Sequence, residues 1–132
     1  MSVEARMLAE LEASQDAALV RAMKTYGYAP QDDEKEPTRL PLLVLQRAQA
    51  EWLTDICGTA NAGCFVSVIL VHIARGAEEA RTQAQAARLV LLTGAEQPQL
   101  ETETEEYDPD LRGWLVTQSF RVWDDAPEVA TP

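Results

Sequence analysis

The stretch Cys64-Phe65-Val66-Ser67-Val68-Ile69-Leu70-Val71-His72-Ile73-Ala74-Arg75-Gly76 decides the fold of this chain. It is an almost unbroken apolar run and reads as a strand over 64–74. Side chains alternate across a strand, which sends Phe65, Ile69, Val71 and Ile73 to one face and Val66, Val68 and Leu70 to the other. A strand apolar on both faces has to be covered on both faces. A short chain has few helices to supply that cover, so part of it is expected from another copy. The expectation is an assembly subunit before an enzyme.

Arg75-Gly76 makes a tight turn into an alanine-rich helix over 77–92. Ala77, Ala80, Ala84, Ala87 and Leu91 fall within about 80° of arc at ~100° per residue, a narrow stripe of methyl-sized side chains that lets a helix lie close on a sheet. Glu78, Arg81, Gln85 and Arg88 line one flank, where Glu78 can pair with Arg81 at i, i+3. Thr93-Gly94 ends the helix.

Working outward, residues 2–24 read as helix in two pieces. Val3, Met7 and Leu11 share a face, Ser14-Gln15-Asp16 offers fresh caps, and Gly27 is the stop. Residues 28–40, with Pro30, Pro37 and the cluster Asp32-Asp33-Glu34-Lys35-Glu36, show no periodicity and read as a flexible loop. Pro41 introduces a strand over 42–50, followed by a loop or wide hairpin connection. Leu100–Tyr107 alternates with period two and reads as an edge strand with one acidic face, Glu101, Glu103, Glu105 and Glu106. Asp108-Pro109-Asp110 and Gly113 form a turn into a last strand, Trp114–Trp123, with Trp114, Val116, Phe120 and Val122 on one face. Residues 125–132 have nothing to bury and read as a disordered tail. The expectation is one α/β (α+β) domain over 1–124 with a sheet of about four strands, and there are no internal repeats.

Composition narrows the function classes. The 132 residues suit one domain that buries roughly two-thirds of its unfolded surface. With 22 acidic against 11 basic residues the net charge is -11, which argues against phosphate-backbone binding. Such a surface suits solubility, or a wall past which DNA must move without sticking. The longest apolar run, about ten residues, is short of the ~18 that a membrane helix requires. Met1–Arg6 lacks the apolar core of a secretory signal. The expectation is a soluble protein made inside the cell.

Catalytic and metal-binding constellations do not assemble. His72 is the only histidine, and at the end of an apolar strand it reads as a structural imidazole. Cys57 and Cys64 flank a glycine-bearing hairpin. A bridge across it is geometrically conceivable, but free thiols in a reducing compartment are the simpler reading, and a lone pair does not make a zinc site. Gly58 and Gly63 lack the Lys-Ser/Thr of a phosphate loop. A straight acidic strand cannot wrap round a calcium ion. Trp52, Trp114 and Trp123 have no basic groove to make them base-stacking platforms, so core or subunit interface is the better reading. No catalytic, cofactor or metal residue is nominated, and no enzyme activity is expected.

Three stretches carry a family resemblance: Leu40-Pro41-Leu42-Leu43-Val44-Leu45-Gln46-Arg47, the passage 68–92 through Arg75-Gly76-Ala77-Glu78-Glu79-Ala80-Arg81, and Gly113–Trp123 closing on an aromatic. Together they resemble the tail-terminator or tail-completion proteins of long-tailed double-stranded DNA bacteriophages. The likeness spans about 1–124, though the charged 28–40 loop and the cysteine-flanked hairpin depart from the family pattern.

The resemblance implies a small subunit with helices on one face of a mainly antiparallel sheet, assembling as a ring, typically of six. Such a ring sits in the virion at the head-proximal end of the tail, after assembly in the host cytoplasm. It caps the tail tube, ends its polymerisation and meets the head-completion or neck proteins, with DNA passing through the lumen. Within that reading Glu78, Arg81, Gln85 and Arg88 are the candidate subunit interface, and Glu101, Glu103, Glu105 and Glu106 the candidate acidic lumen surface. The alternatives are a neck or head-completion subunit, an acidic DNA mimic that inhibits a host protein, and a small ligand-binding or accessory enzyme domain.

Overall fold

A computed structural model gives the fold of residues 2–27, 40–53 and 63–124, with side chains at 49–53 and 63–64 left undescribed. The expectations for most of the 28–40 loop, for Cys57 and the hairpin tip, and for the 125–132 tail fall outside the described residues, as do those for the side chains of Trp52 and Cys64.

The elements run α1 (Val3–Ala13), α2 (Ala17–Arg21), β1 (Met23–Tyr26), β2 (Leu42–Leu53), β3 (Gly63–Ala74), α3 (Ala77–Thr93), β4 (Gln99–Asp108) and β5 (Gly113–Asp124). The five strands form one sheet in the order β1-β2-β3-β5-β4. β1 pairs parallel to β2, and every other neighbouring pair is antiparallel. This is the expected α+β class with a mainly antiparallel sheet.

β3 lies at the centre of the sheet, as its two-faced pattern demands. Val66, Val68 and Leu70 enter a core with Met7 and Leu11 of α1, Leu19 of α2, Ala87 and Leu91 of α3, and Phe120 of β5. All three helices pack on that side. Ser2 caps α1 by accepting from Ala5 N at 3.2 Å, and Asp16 caps α2 by accepting from Ala18 N at 3.0 Å. α3 buries the alanine stripe at Ala80, Ala84 and Ala87, and Gln83 is buried beside it.

One expectation is corrected. Residues 2–24 are not helical throughout: the second helix stops at Arg21, and Met23–Tyr26 is a strand. Pairing wins over the local helix preference of Ala22-Met23. Met23 and Thr25 come opposite Leu42 and Val44, while Lys24 and Tyr26 come opposite Leu43 and Leu45. Gly27, at φ 99°, closes that strand and not a helix, its N–H bonded to Leu45 O at 2.8 Å.

The second face of the sheet carries no helix among the described residues. Its apolar cluster is Leu42, Val44 and Ile73, with Met23, Leu40, Val71, Leu111 and Leu115 packed round it. Those first three are 0–2% exposed, so at this end the sheet is covered by its own edge strand and by the Leu40 and Leu111 turns. Further along, Phe65 and Ile69 are half-buried and Trp123 is 39% exposed. The face is therefore partly self-covered, and the apolar surface left for other chains is smaller than the strand pattern implies.

Among the described residues Phe120 is the largest fully buried side chain, and it sits opposite Val68, where helices and sheet meet. Phe120→Ala is expected to lower the unfolding free energy by about 3–5 kcal/mol, as measured by urea denaturation.

Candidate functional site

α3 presents Glu78, Arg81 and Gln85 to solvent with Arg88 half-buried, so the flank nominated from sequence is an accessible stripe. The same stripe continues into Leu89 and Leu92, which are 64% and 42% exposed. Sequence reasoning passed over these two leucines, although positions four and seven after Gln85 fall on its face. The expected Glu78–Arg81 pair gives way to a longer-range one. Arg81 donates from Nε to Glu105 Oε1 at 2.5 Å and from Nη2 to Oε2 at 2.8 Å, a bidentate bond from α3 to β4. The hydrogen bond from Arg81 holds the Glu105 carboxyl below its ordinary range, and the guanidinium is raised in turn. Both groups are solvated, so the pair orients the two elements more than it stabilises them. It also joins a residue of the candidate interface to one of the candidate lumen surface.

The acidic strand does not present one face. A register shift between Leu100 and Thr102 leaves Glu101 at a bulge. Beyond it, Glu103 and Glu105 come opposite Gln118 and Val116 on the helix side, whereas Glu106 comes opposite Leu115 on the other. Glu103 accepts from Gln118 Nε2 at 2.8 Å. Glu101 and Glu106 stand exposed.

Behind this strand lies a buried polar chain. Gln83 Nε2 donates to Leu42 O at 3.0 Å and lies 3.1 Å from His72 Nδ1. Since that amide nitrogen is a donor, Nδ1 accepts, and the ring proton sits on Nε2, which donates to Gln118 Oε1 at 2.7 Å. Gln118 then donates to Ala84 O at 2.9 Å as well as to Glu103. The run links β2, α3, β3, β5 and β4, and leaves Gln83 Oε1 without a protein partner. Burial pushes the His72 pKa down to about 4 from 6.5, against the Gln118 hydrogen bond and the Glu103 charge, which pull it up. The imidazole is thus neutral at pH 7 and bonded at both nitrogens, the structural role read from its position.

Two further clusters went unread in the sequence. Glu4, 3% exposed on α1, accepts from the Tyr26 hydroxyl at 3.2 Å and lies 3.5 Å from Arg47 Nη1. Burial first, and then the Glu4 charge, raises the Tyr26 pKa. On the helix-free face, Phe65 packs edge-on to Trp123 with centroids 4.9 Å apart, and the Arg121 guanidinium lies 4.0 Å over the Phe65 ring. An apolar groove of about 450 Å³ runs between α1 and β1, lined by Ala5, Leu8, Ala9 and Tyr26 among others. Among the described residues no group of three His, Cys, Asp or Glu side chains is placed to hold a metal ion. No helix among them is long and apolar enough to cross a membrane.

Neither any family model nor any curated protein matches the chain. Among solved structures its fold is similar to that of a chain in the virion of a native gene transfer agent particle, with a TM-score of 0.63 at 15% identity. The match covers 93% of this chain and 94% of that one, and at this identity it is a likeness of fold.

The depressed His72 pKa makes stability depend on pH. The unfolded chain binds a proton near pH 6.5 that the folded chain refuses until about pH 4, so the contribution is complete above 6.5 and lost as pH falls to 4. Urea titrations are expected to show a loss of about 3 kcal/mol across that window from this group, at ~1.4 kcal/mol per pH unit. In His72→Gln that component is missing, whatever the variant's stability at pH 7.

Proposed function

We propose that this chain is a structural virion subunit of a phage-like particle, a ring-former that caps the tail tube, ends its polymerisation and offers the surface for head joining. The observation that carries this reading is the end-to-end fold likeness to a virion chain, 94% of which is matched. The family resemblance of the strand opening on Leu40-Pro41, the strand-to-helix passage and the aromatic-ended last strand points the same way. The reading assigns no catalysis and no cofactor. Its partners are further copies of the chain, the tail tube protein and the head-completion or neck proteins.

The exposed apolar residues support assembly. Leu89 and Leu92 on α3 and Trp123 beside Phe65 lie on different sides of the molecule, which gives it more than one apolar surface for neighbours in a particle. In a ring with strands near the axis direction, Glu101 and Glu106 are the carboxylates of the acidic strand left to repel passing DNA. Glu103 and Glu105 serve Gln118 and Arg81 instead.

Negative-stain imaging of purified protein mixed with tail tubes tests the reading. Rings at one end of every tube, with tube growth arrested, are expected. Binding to heads in preference to tubes would make the protein a neck subunit, and indifference to both would end the virion assignment.

A second test uses Glu101→Lys with Glu106→Lys. Rings are expected to stay intact while genome release slows; loss of the rings would mean that these residues hold the assembly together and do not line its channel.

A further inference from the structure

We propose that copies of this chain join through their sheet edges, β4 of one copy adding antiparallel to β1 of the next, so that one sheet runs from subunit to subunit round the ring. This inference rests on the ring reading above and names the contact that would close it. Among the described residues β1 and β4 are the two edges of the sheet, each hydrogen-bonded to a strand on one side only. An unpaired strand edge is a template for another strand unless something blocks it.

Strand direction fits. β1 runs parallel to β2, β2 antiparallel to β3, β3 antiparallel to β5, and β5 antiparallel to β4. β1 and β4 therefore run in opposite senses. A rotation about a ring axis to which the strands are tilted preserves those senses, so β4 of one copy meets β1 of the next as an antiparallel pair, staggered along the strands. The same rotation keeps the helices of all copies on one side of the joined sheet.

Side chains on that side match as well. Tyr107 on β4 comes opposite Trp114, on the helix side, and is 49% exposed with only an edge-on contact to that indole, 5.4 Å between centroids. Beside β1, also on the helix side, lies the apolar groove between α1 and Tyr26, which is itself 52% exposed. Each edge thus carries a half-exposed tyrosine, and one of them has an empty apolar slot next to it. Without a stagger Tyr107 would come level with Ala22, four residues from Tyr26; the tilt of strands in a closed sheet, about 35–45° to the ring axis, supplies the stagger that carries Tyr107 toward that slot.

Charge decides between partners. β4 bears Glu101, Glu103, Glu105 and Glu106, so two β4 edges repel each other and a two-fold β4–β4 dimer is disfavoured. The charged residue of β1 is Lys24, on the same side as Tyr26. The pairing that satisfies both edges is the head-to-tail one.

The test uses two variants at exposed positions, Ala9→Arg to fill the groove and Tyr107→Arg to remove the side chain that enters it. Sedimentation of the full-length chain is measured alone, for each variant, and for a 1:1 mixture at the highest attainable concentration, with circular dichroism confirming folded variants. Rings are expected from the unaltered chain and single subunits from each variant. The mixture is expected to stop at dimers, because only one good β4 edge and one good groove remain between two copies. Rings from either variant alone, or a mixture that stays monomeric, overturn the edge contact while the ring reading stands. If the unaltered chain forms no rings with or without tail tubes, the ring reading fails and this contact with it.

Discussion

A strand that is apolar on both faces cannot lie at the edge of a sheet, and most of this fold follows from that constraint on β3. It takes the centre, with β2 and β5 as its neighbours, and these in turn fix β1 and β4 as the edges. One of its faces supplies Val66, Val68 and Leu70 to the helices; the other supplies Ile73 to a smaller cluster closed by Leu40, Leu111 and Leu115. The helices crowd on one side because α3 follows β3 directly through Arg75-Gly76 and lies back on it with alanines, leaving room for α1 and α2 alongside. The other side keeps Leu42, Val44 and Ile73 buried and leaves Phe65 and Ile69 half-covered, and the ring proposed here puts its subunit contacts at the sheet edges.

Three of the buried polar side chains among the described residues are strung together. His72, Gln83 and Gln118 are hydrogen-bonded in a row, with Gln83 Oε1 left over, and tie α3 to the strands on which it lies, with Glu103 as the outer end. Apolar packing against alanine methyls alone allows a helix to slide by a turn at modest cost. A glutamine that must meet both a backbone carbonyl and an imidazole does not. The chain of hydrogen bonds therefore sets the position of α3, and with it that of Arg81 and of the exposed stripe ending in Leu92.

Periodicity made much of this legible in the sequence. β3, the alanine stripe of α3, the closing strand and the acidic edge strand were each visible because burial imposes a repeat on the residues. β1 was not, since four residues are too few to carry a pattern and Ala22-Met23 favour helix locally. The polar partners of His72 left a signal that went unread: Gln118 occupies an inward position in the run Trp114, Val116, Phe120, Val122, and Gln83 interrupts the buried side of α3. A buried glutamine on each of two elements facing a lone histidine is a network in outline. The division of the acidic residues was beyond reach, because a one-residue bulge at Glu101 shifts the register without leaving a mark in composition. The Arg81–Glu105 pair depends on a long-range approach of α3 to β4 and is invisible to any local rule.

Arg6 gives the molecule a temporal property. Its guanidinium donates to Glu96 at 2.6 Å, ninety residues later, and lies 3.8 Å from Asp124 at the end of the last strand. A ribosome delivers α1 well before its anchors, while the central strand also waits for β5 to close its second flank. The anchoring of α1 thus depends on contacts between residues far apart in sequence, which makes for slower folding than a fold built on local pairs. Until those partners are made, the apolar side of α1 and one flank of β3 stay open, the kind of surface on which partly folded chains associate.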